Sequence, residues 1–545
     1  MKSSSRWLQS LIIIVSLPLL ARSAPACKCF SFQPCWPSPS DFSNLASQLS
    51  QPLIHPTPPA SACYPPFSSA GNCIDVQSHR YDGQWCSNLP GAMQSMNFES
   101  YMFENGTIDA CYYNVLLGVP CHQGNIPVVG VDARNVADIQ AAVNFTAKHY
   151  LRLVIKNTGH DILGRSMGRG AFMLWTHNLK GITYEEAFTP GGAPPNSQTY
   201  KALTVGAGIQ WNEAYEFAND QGRAIVGGSS FSVGAAGGWI QGGGHSALSP
   251  IYGLGVDNAL QFTVVLANGQ YVTANEYQYQ DLFWALRGGG GGTYGVVISV
   301  TYRTHDILPT TSIGLLVNFS SPVIAQNVAT ELFTIQPALQ DAGWGGYAYL
   351  SKTGIKSVTF VSDDSLAKGD AIWSSFIMRI RAAGVPVIVL KHSFPSFYEA
   401  ARPYFGGQGL IGMQTEYISR FLSRRMAQEQ PGTVAKVALG IRGPAMLDFV
   451  GGGVVSQVNP ETAGLHPSWR EAFGVIESTI AWEEGTPAAE INRLRQIAAV
   501  DLEALDTISP DSGTYLNEAS LYEKDFRKAF FGPHYQRLKA IKQAY

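Results

Sequence analysis

The sequence predicts an α+β fold divided into more than one domain. Three observations carry this expectation. Helix-period and strand-period stretches alternate between residues 136 and 226. An Asn-Gly pair at 268–269 separates two apolar-rich runs, as in a tight antiparallel hairpin. A second set of strand and helix patterns begins after Pro309. The hairpin alone excludes a wholly parallel sheet.

The elements follow in order. Lys2 and Arg6 precede an apolar run at 11–20, and small residues at Ala24, Pro25 and Ala26 follow it, the layout of a signal peptide over residues 1–26. The run is about half the roughly 20 residues that a membrane span requires, so secretion is expected and a stable membrane anchor is not. All eight cysteines, Cys27, Cys29, Cys35, Cys63, Cys73, Cys86, Cys111 and Cys121, lie behind this leader. An oxidising compartment makes disulfides their expected state, with connectivity left open; no histidine follows at zinc spacing. Sequons at Asn105, Asn144 and Asn318 are compatible with glycosylation. Residues 27–120, rich in Pro, Ser and Cys, read as an N-terminal extension.

Val136, Ile139, Val143 and Ala147 recur at helical spacing, and residues 151–156 form an apolar strand that ends at Asn157-Thr158-Gly159. Residues 202–209 read as a strand. Trp211, Ala214, Tyr215 and Ala218 mark a helix stopped at Gly222, and 223–226 starts a further strand. Beyond Pro309, strands at 357–361 and 386–390 flank an amphipathic helix at 368–383. A polar helix at 488–505 leads to Tyr515 and a final helical pair, with Pro533 at a helix start.

Composition narrows the chemistry. A hydrophobic fraction of 45% suffices for a large core, and the net charge of -3 comes from 37 basic and 40 acidic residues without a polybasic run. Nucleic acid is therefore not an expected partner. No Gly-x-Ser-x-Gly elbow, P-loop or dinucleotide-fold fingerprint is present.

Two constellations remain. Asn157-Thr158-Gly159-His160-Asp161, with Gly164-Arg165-Ser166, follows a strand directly; its glycines and small side chains suit a backbone that approaches a diphosphate, with His160 facing the attached ring. Residues 227–238, with Gly242-Gly243-Gly244-His245, and the run at 288–292 after Arg287 are dense in glycine. Such density implies positive φ angles or a backbone pressed against a ligand or another segment.

These residues resemble the vanillyl-alcohol-oxidase superfamily of FAD enzymes, and within it the berberine-bridge-enzyme-like oxidases, especially the secreted fungal members similar to isoamyl-alcohol oxidase. The likeness rests on residues 156–161 with Gly164-Arg165-Ser166, the triple glycine before His245, Asp281-Leu282-Phe283-Trp284-Ala285-Leu286-Arg287 with its glycine run, and Tyr515-Leu516-Asn517-Glu518. It implies a two-subdomain PCMH-type FAD-binding domain at 121–308, an α+β substrate domain over the flavin at 309–500, and a C-terminal segment at 501–545 returning to the FAD domain. The Asp-Pro continuation usual after the last helix is absent, the sequence stopping at Tyr545.

The resemblance further implies that His160 carries FAD covalently, with Asn157, Thr158, Gly159, Asp161, Gly164, Ser166, Ser230, Gly234, Gly237, Gly238, Gly244, His245 and Asn517 around the cofactor. Ser230 stands where many relatives have a second, cysteine-borne link, so a single link is expected. Ser229 leaves room for oxygen, which favours an oxidase. Glu518 occupies the place of the usual tyrosine base; a buried carboxylate serves as base when its pKa is raised and a tyrosine when its phenolate is stabilised, so either Glu518 or Tyr515 is competent. His245 touches the cofactor or supports its loop. Tyr347, Tyr349, Phe394, Tyr398 and Tyr417 are candidates for the substrate wall. The activity implied is hydride transfer from an alcohol or amine carbon of a small molecule to FAD, with molecular oxygen as acceptor, by a monomer. The alternatives are an FAD dehydrogenase or oxidative cyclase of specialised metabolism, and a non-catalytic secreted glycoprotein of the same fold.

Overall fold

The computed structural model of the protein describes residues 27–66, 71–362, 366–406 and 411–545. The expected leader at 1–26 lies outside the described residues.

The sheet nearest the first constellation has four strands, in the order Leu53–Ile54, Val129–Asp132, Phe172–Trp175, Leu153–Lys156. The last three are parallel and the first runs antiparallel to its neighbour. Phe172–Trp175 is buried along its whole length, as a central strand covered on both faces must be. The expected helix is Val136–Lys148. Asn135 caps it by accepting the Asp138 amide, and Ile139, Ala142 and Val143 face the core.

A second sheet is wholly antiparallel, ordered Tyr271–Asn275, Ala259–Val265, Val296–Arg303, Tyr200–Gly206, Ile182–Phe188. The expected Asn-Gly hairpin joins its first two strands, and Gly269 takes the positive φ that such a turn demands. Helix Trp211–Asp220 sets the Trp211 ring edge-on to Trp239, with centroids 4.6 Å apart. That contact ties the helix to the glycine-rich stretch.

Residues beyond Pro309 build a seven-stranded antiparallel sheet, ordered Val387–Phe394, Thr310–Asn318, Gly354–Ser362, Gly345–Ser351, Ala445–Phe449, Ala472–Trp482, Gln414–Ser423. Strand alternation decides its two faces. Ala348, Leu350, Leu447, Phe449, Ile476 and Ile418 enter a core shared with helices Pro322–Asp341, Leu366–Ala382, Pro431–Gly440 and Ala488–Asp506. Each large side chain fully buried there contributes about 1.5–3 kcal/mol. Their alternates, Tyr347, Tyr349, Met446, Asp448, Glu477 and Tyr417, line a cavity on the other face.

The cysteine-rich lead-in holds three disulfides, Cys29–Cys35, Cys63–Cys73 and Cys111–Cys121. The expected disulfides are present and take six of the eight cysteines, while Cys27 and Cys86 remain thiols. Cys86 is buried with Ala92 and Ile411, its thiol directed at the Arg80 carbonyl, whereas Cys27 is exposed. Asn105, Asn144 and Asn318 are all exposed. Among the described residues no helix is long and apolar enough to cross a membrane.

Candidate active site

The strand Leu153–Lys156 delivers the first constellation to one end of a cavity of about 1230 Å³. The loop after it is held from behind. Gln94, from the lead-in, donates its side-chain amide to the Thr158 carbonyl at 3.0 Å and its backbone N–H to the Gly159 carbonyl at 3.1 Å. Asp161 closes the turn by accepting the Ser166 amide at 2.6 Å and the Leu163 amide at 3.2 Å. Gly159 supplies the positive φ, +86°, that lets the chain reverse so tightly. His160 is left at the wall, its Nε2 2.8 Å from Ser232 Oγ. Burial drops its imidazole to about 3, with Glu518 opposing the fall and Lys156 adding to it.

The glycine-rich stretch packs directly against this loop. A Cβ at Gly234 would stand 2.6 Å from the Asn157 amide, so the two segments meet only because that side chain is missing. The turn Leu516–Glu518 returns here from far along the chain: Asn517 donates to the Gly238 carbonyl at 2.8 Å and to the Tyr515 hydroxyl at 2.7 Å.

Next to that turn, His245 Nε2 lies 3.1 Å from Glu518 and 3.5 Å from Asp448. Burial alone would lower the His245 imidazole, but the charge and hydrogen bond of Glu518, with the charge of Asp448, raise it to about 9. Burial opposes ionisation of Glu518 too. The charge and hydrogen bond of His245 outweigh that and hold the carboxyl below its ordinary range. Burial lifts Asp448 to about 7, His245 pulling against the rise and Glu518 adding to it. Tyr515, 1% exposed, is pushed well above the phenol range by burial and then by the Glu518 charge.

Of the residues singled out from sequence, Asn157, Thr158, Gly159, His160, Asp161, Ser166, Ser229, Ser230, Gly234, Gly237, Gly238, His245, Tyr515, Asn517 and Glu518 line this one cavity. Gly164 and Gly244 are not in its lining. Their glycines answer to packing instead, since a Cβ would strike the Phe98 ring at 2.4 Å and the Trp239 ring at 2.8 Å. Tyr347, Tyr349 and Tyr417 line the cavity, whereas Phe394 and Tyr398 pack against the core. Sequence reasoning did not find Gln94, Ser232, Asp448 or Glu477. The last two are single acids, each in its own strand, and only the pairing of those strands brings them together.

The cavity suits a large flavin nucleotide. Its volume exceeds the roughly 300–1,000 Å³ of ordinary small-molecule pockets. Two polar atoms on its wall, Asn157 Oδ1 and Gln241 Oε1, are buried with no partner among the described residues, so a ligand rich in donors would satisfy them.

Residues 127–275 match the family model described as an FAD binding domain, and with the full-length relatives that follow this sets the class as an FAD-dependent oxidoreductase. The chain is 36% identical to an uncharacterized FAD-linked oxidoreductase of Arthroderma benhamiae, over 99% of this chain and 95% of the relative. It is 33% identical to a VAO-type flavoprotein oxidase of Thermothelomyces thermophilus, over 96% and 91%. The crystal structure of a VAO-type flavoprotein of Myceliophthora thermophila superposes with a TM-score of 0.85 at 29% identity, covering 95% of each chain. A glucooligosaccharide oxidase of Acremonium strictum shares the fold, at a TM-score of 0.64 and 18% identity over 77% of this chain and 88% of its own. The chain belongs to the vanillyl-alcohol-oxidase superfamily and has the berberine-bridge-like fold.

Proposed function

We propose that the protein is a secreted oxidase that holds FAD through one covalent bond from His160 and oxidises an alcohol or amine carbon of a small organic molecule, with oxygen as final acceptor and hydrogen peroxide as product. The observation that carries this reading is that His160 and Glu518 stand on one cavity, close enough for the charge of one to act on the other.

Bound FAD supplies the two-electron acceptor. The protein's own groups do the rest. His160 stays neutral, as a nucleophilic imidazole must, and with Nε2 engaged by Ser232 Oγ at 2.8 Å, Nδ1 would be the nitrogen to take the covalent link. Ser230, placed where a second link would be borne by cysteine, cannot form one. Glu518 is the proton acceptor for the substrate O–H or N–H, kept ionised by the His245 imidazolium. Tyr515 is the weaker choice of base, because its hydroxyl is buried between the Trp239 carbonyl and the Asn517 amide. Tyr347, Tyr349 and Tyr417 wall the substrate space. The signal-like leader, three disulfides and three exposed sequon asparagines support export.

The test is direct. The purified protein is expected to stay yellow after acid precipitation and His160→Ala to release its flavin. A panel of alcohols, sugars and aromatic amines is expected to contain one compound that bleaches the flavin without air and yields peroxide in air. Bleaching with no peroxide would make the protein a dehydrogenase. Retained covalent flavin in His160→Ala would move the attachment elsewhere.

A further inference from the structure

Three carboxyl groups and one imidazole share the buried floor of the cavity. Asp448 and Glu518 both reach His245. Glu477, 5% exposed, comes from the adjoining strand, where it lies opposite Met446 on one side and Ser419 on the other. It is within hydrogen-bonding reach of both Glu518 and Asp448. The titratable groups that bear on it are these two carboxyls and the phenols of Tyr349, Tyr417 and Tyr515, none of which brings a positive charge. His245, the cation of the cluster, is engaged by the other two acids.

The hydrogen bonds sharpen the point. Glu477 Oε1 is buried and receives no hydrogen bond from any described group. An ionised carboxylate there would set its buried oxygen beside two further carboxyl groups without a donor. A carboxylic acid in the same place has the missing element, an O–H to give to one neighbour or the other.

We propose that Glu477 is a permanently un-ionised carboxylic acid, a positioning residue whose O–H is donated to Glu518 or Asp448 and fixes the pair in register with His245. The proposal rests on the reading of Glu518 as proton acceptor, since the arrangement then lets that carboxylate stay charged beside two other acids. Burial first, and then the charges of Glu518 and Asp448, hold the Glu477 carboxyl well above the usual range, which agrees with the geometry. Such a group adds stability below its ordinary value of 4.5 and loses that contribution as pH rises towards its raised value.

Glu477→Gln and Glu477→Leu, made in the flavin-loaded full chain, separate the possibilities. Glutamine keeps a donor and cannot ionise; leucine keeps the volume and has neither property. In difference spectra of the wild type minus each variant at pH 8 the infrared carbonyl band of an un-ionised carboxylic acid is expected, other buried acids such as Glu99 cancelling. The glutamine protein is expected to melt with the wild type at pH 4.5 and above it at pH 8, with leucine below glutamine throughout. Absence of the difference band would overturn the proposal, and so would a glutamine protein as unstable as the leucine one. If the leucine chain does not fold, the band and the glutamine melting curve still decide. Neither readout involves turnover, so failure of Glu518 as base, seen as unchanged flavin bleaching in Glu518→Gln, is told apart from failure of this role for Glu477.

Discussion

Replacing Glu518 by glutamine removes one charge and almost no volume, and its consequences can be worked out for both stability and rate. In the wild type the His245 imidazole rises from its ordinary 6.5 to about 9, chiefly because Glu518 lies 3.1 Å away. At 1.36 kcal/mol per unit, that rise corresponds to about 3 kcal/mol of folded-state stability, an order-of-magnitude figure for a buried pair. Because the group is raised, the contribution is complete below pH 6.5 and vanishes as pH climbs through 9. Glu518→Gln is therefore expected to melt several degrees below the wild type at pH 6, with the two curves converging above pH 9. The same change removes the proton acceptor, so the anaerobic rate of flavin bleaching by an active substrate is expected to fall about 100- to 10,000-fold, with the yellow colour retained. Stopped-flow absorbance measures the rate and differential scanning fluorimetry the melting. A loss of less than about tenfold, or a stability deficit unchanged from pH 6 to pH 10, would refute the Glu518–His245 pair as described.

Other outcomes follow from the same geometry. A thiol reagent is expected to find two free cysteines in the denatured, unreduced chain from residue 27 onward, and one in the native protein. The native reactive thiol is Cys27, because Cys86 is shielded and burial pushes its thiol up to about 12; a third native thiol in that titration would break the assigned bridges. Gly244→Ala places a Cβ 2.8 Å from the Trp239 ring at a φ of +74°, and is expected to cost about 1–3 kcal/mol in chemical denaturation. Gly118→Ala, also at positive φ but with nothing within 4 Å, is the control, expected to cost about 1 kcal/mol or less. Equal losses in the two would show that crowding at Trp239 contributes nothing.

Much of this arrangement was legible before any coordinates. The Asn157 to Asp161 loop declared itself because polar residues directly after an apolar strand are poor core, and the hairpin at 268–269 because Asn-Gly is suited to its turn. Glu518 was visible through its motif. Asp448 and Glu477 were hidden for a different reason: each is one acid in a strand otherwise built for the core, and only the register that sets Asp448 beside Tyr347 and Glu477 beside Met446 brings them together. Sequence spacing cannot supply that register, because it is decided between strands and not along one. The aromatic residues show the same limit. Tyr347 and Tyr398 look alike in the sequence, yet one faces the cavity and the other the core. Gly164 and Gly244 were legible as glycines, but the crowding at Phe98 and Trp239 that requires them was not.

The grip of Gln94 on the Thr158 and Gly159 carbonyls has an implication for how the enzyme matures. The histidine that would accept flavin sits on a loop held by Gln94 of the lead-in, and the adjoining glycine-rich segment is tied by Asn517 from a much later part of the polypeptide. Were flavin to be taken up at His160, the holds of Gln94 and Asn517 would both have to be in place for the walls around it to be complete.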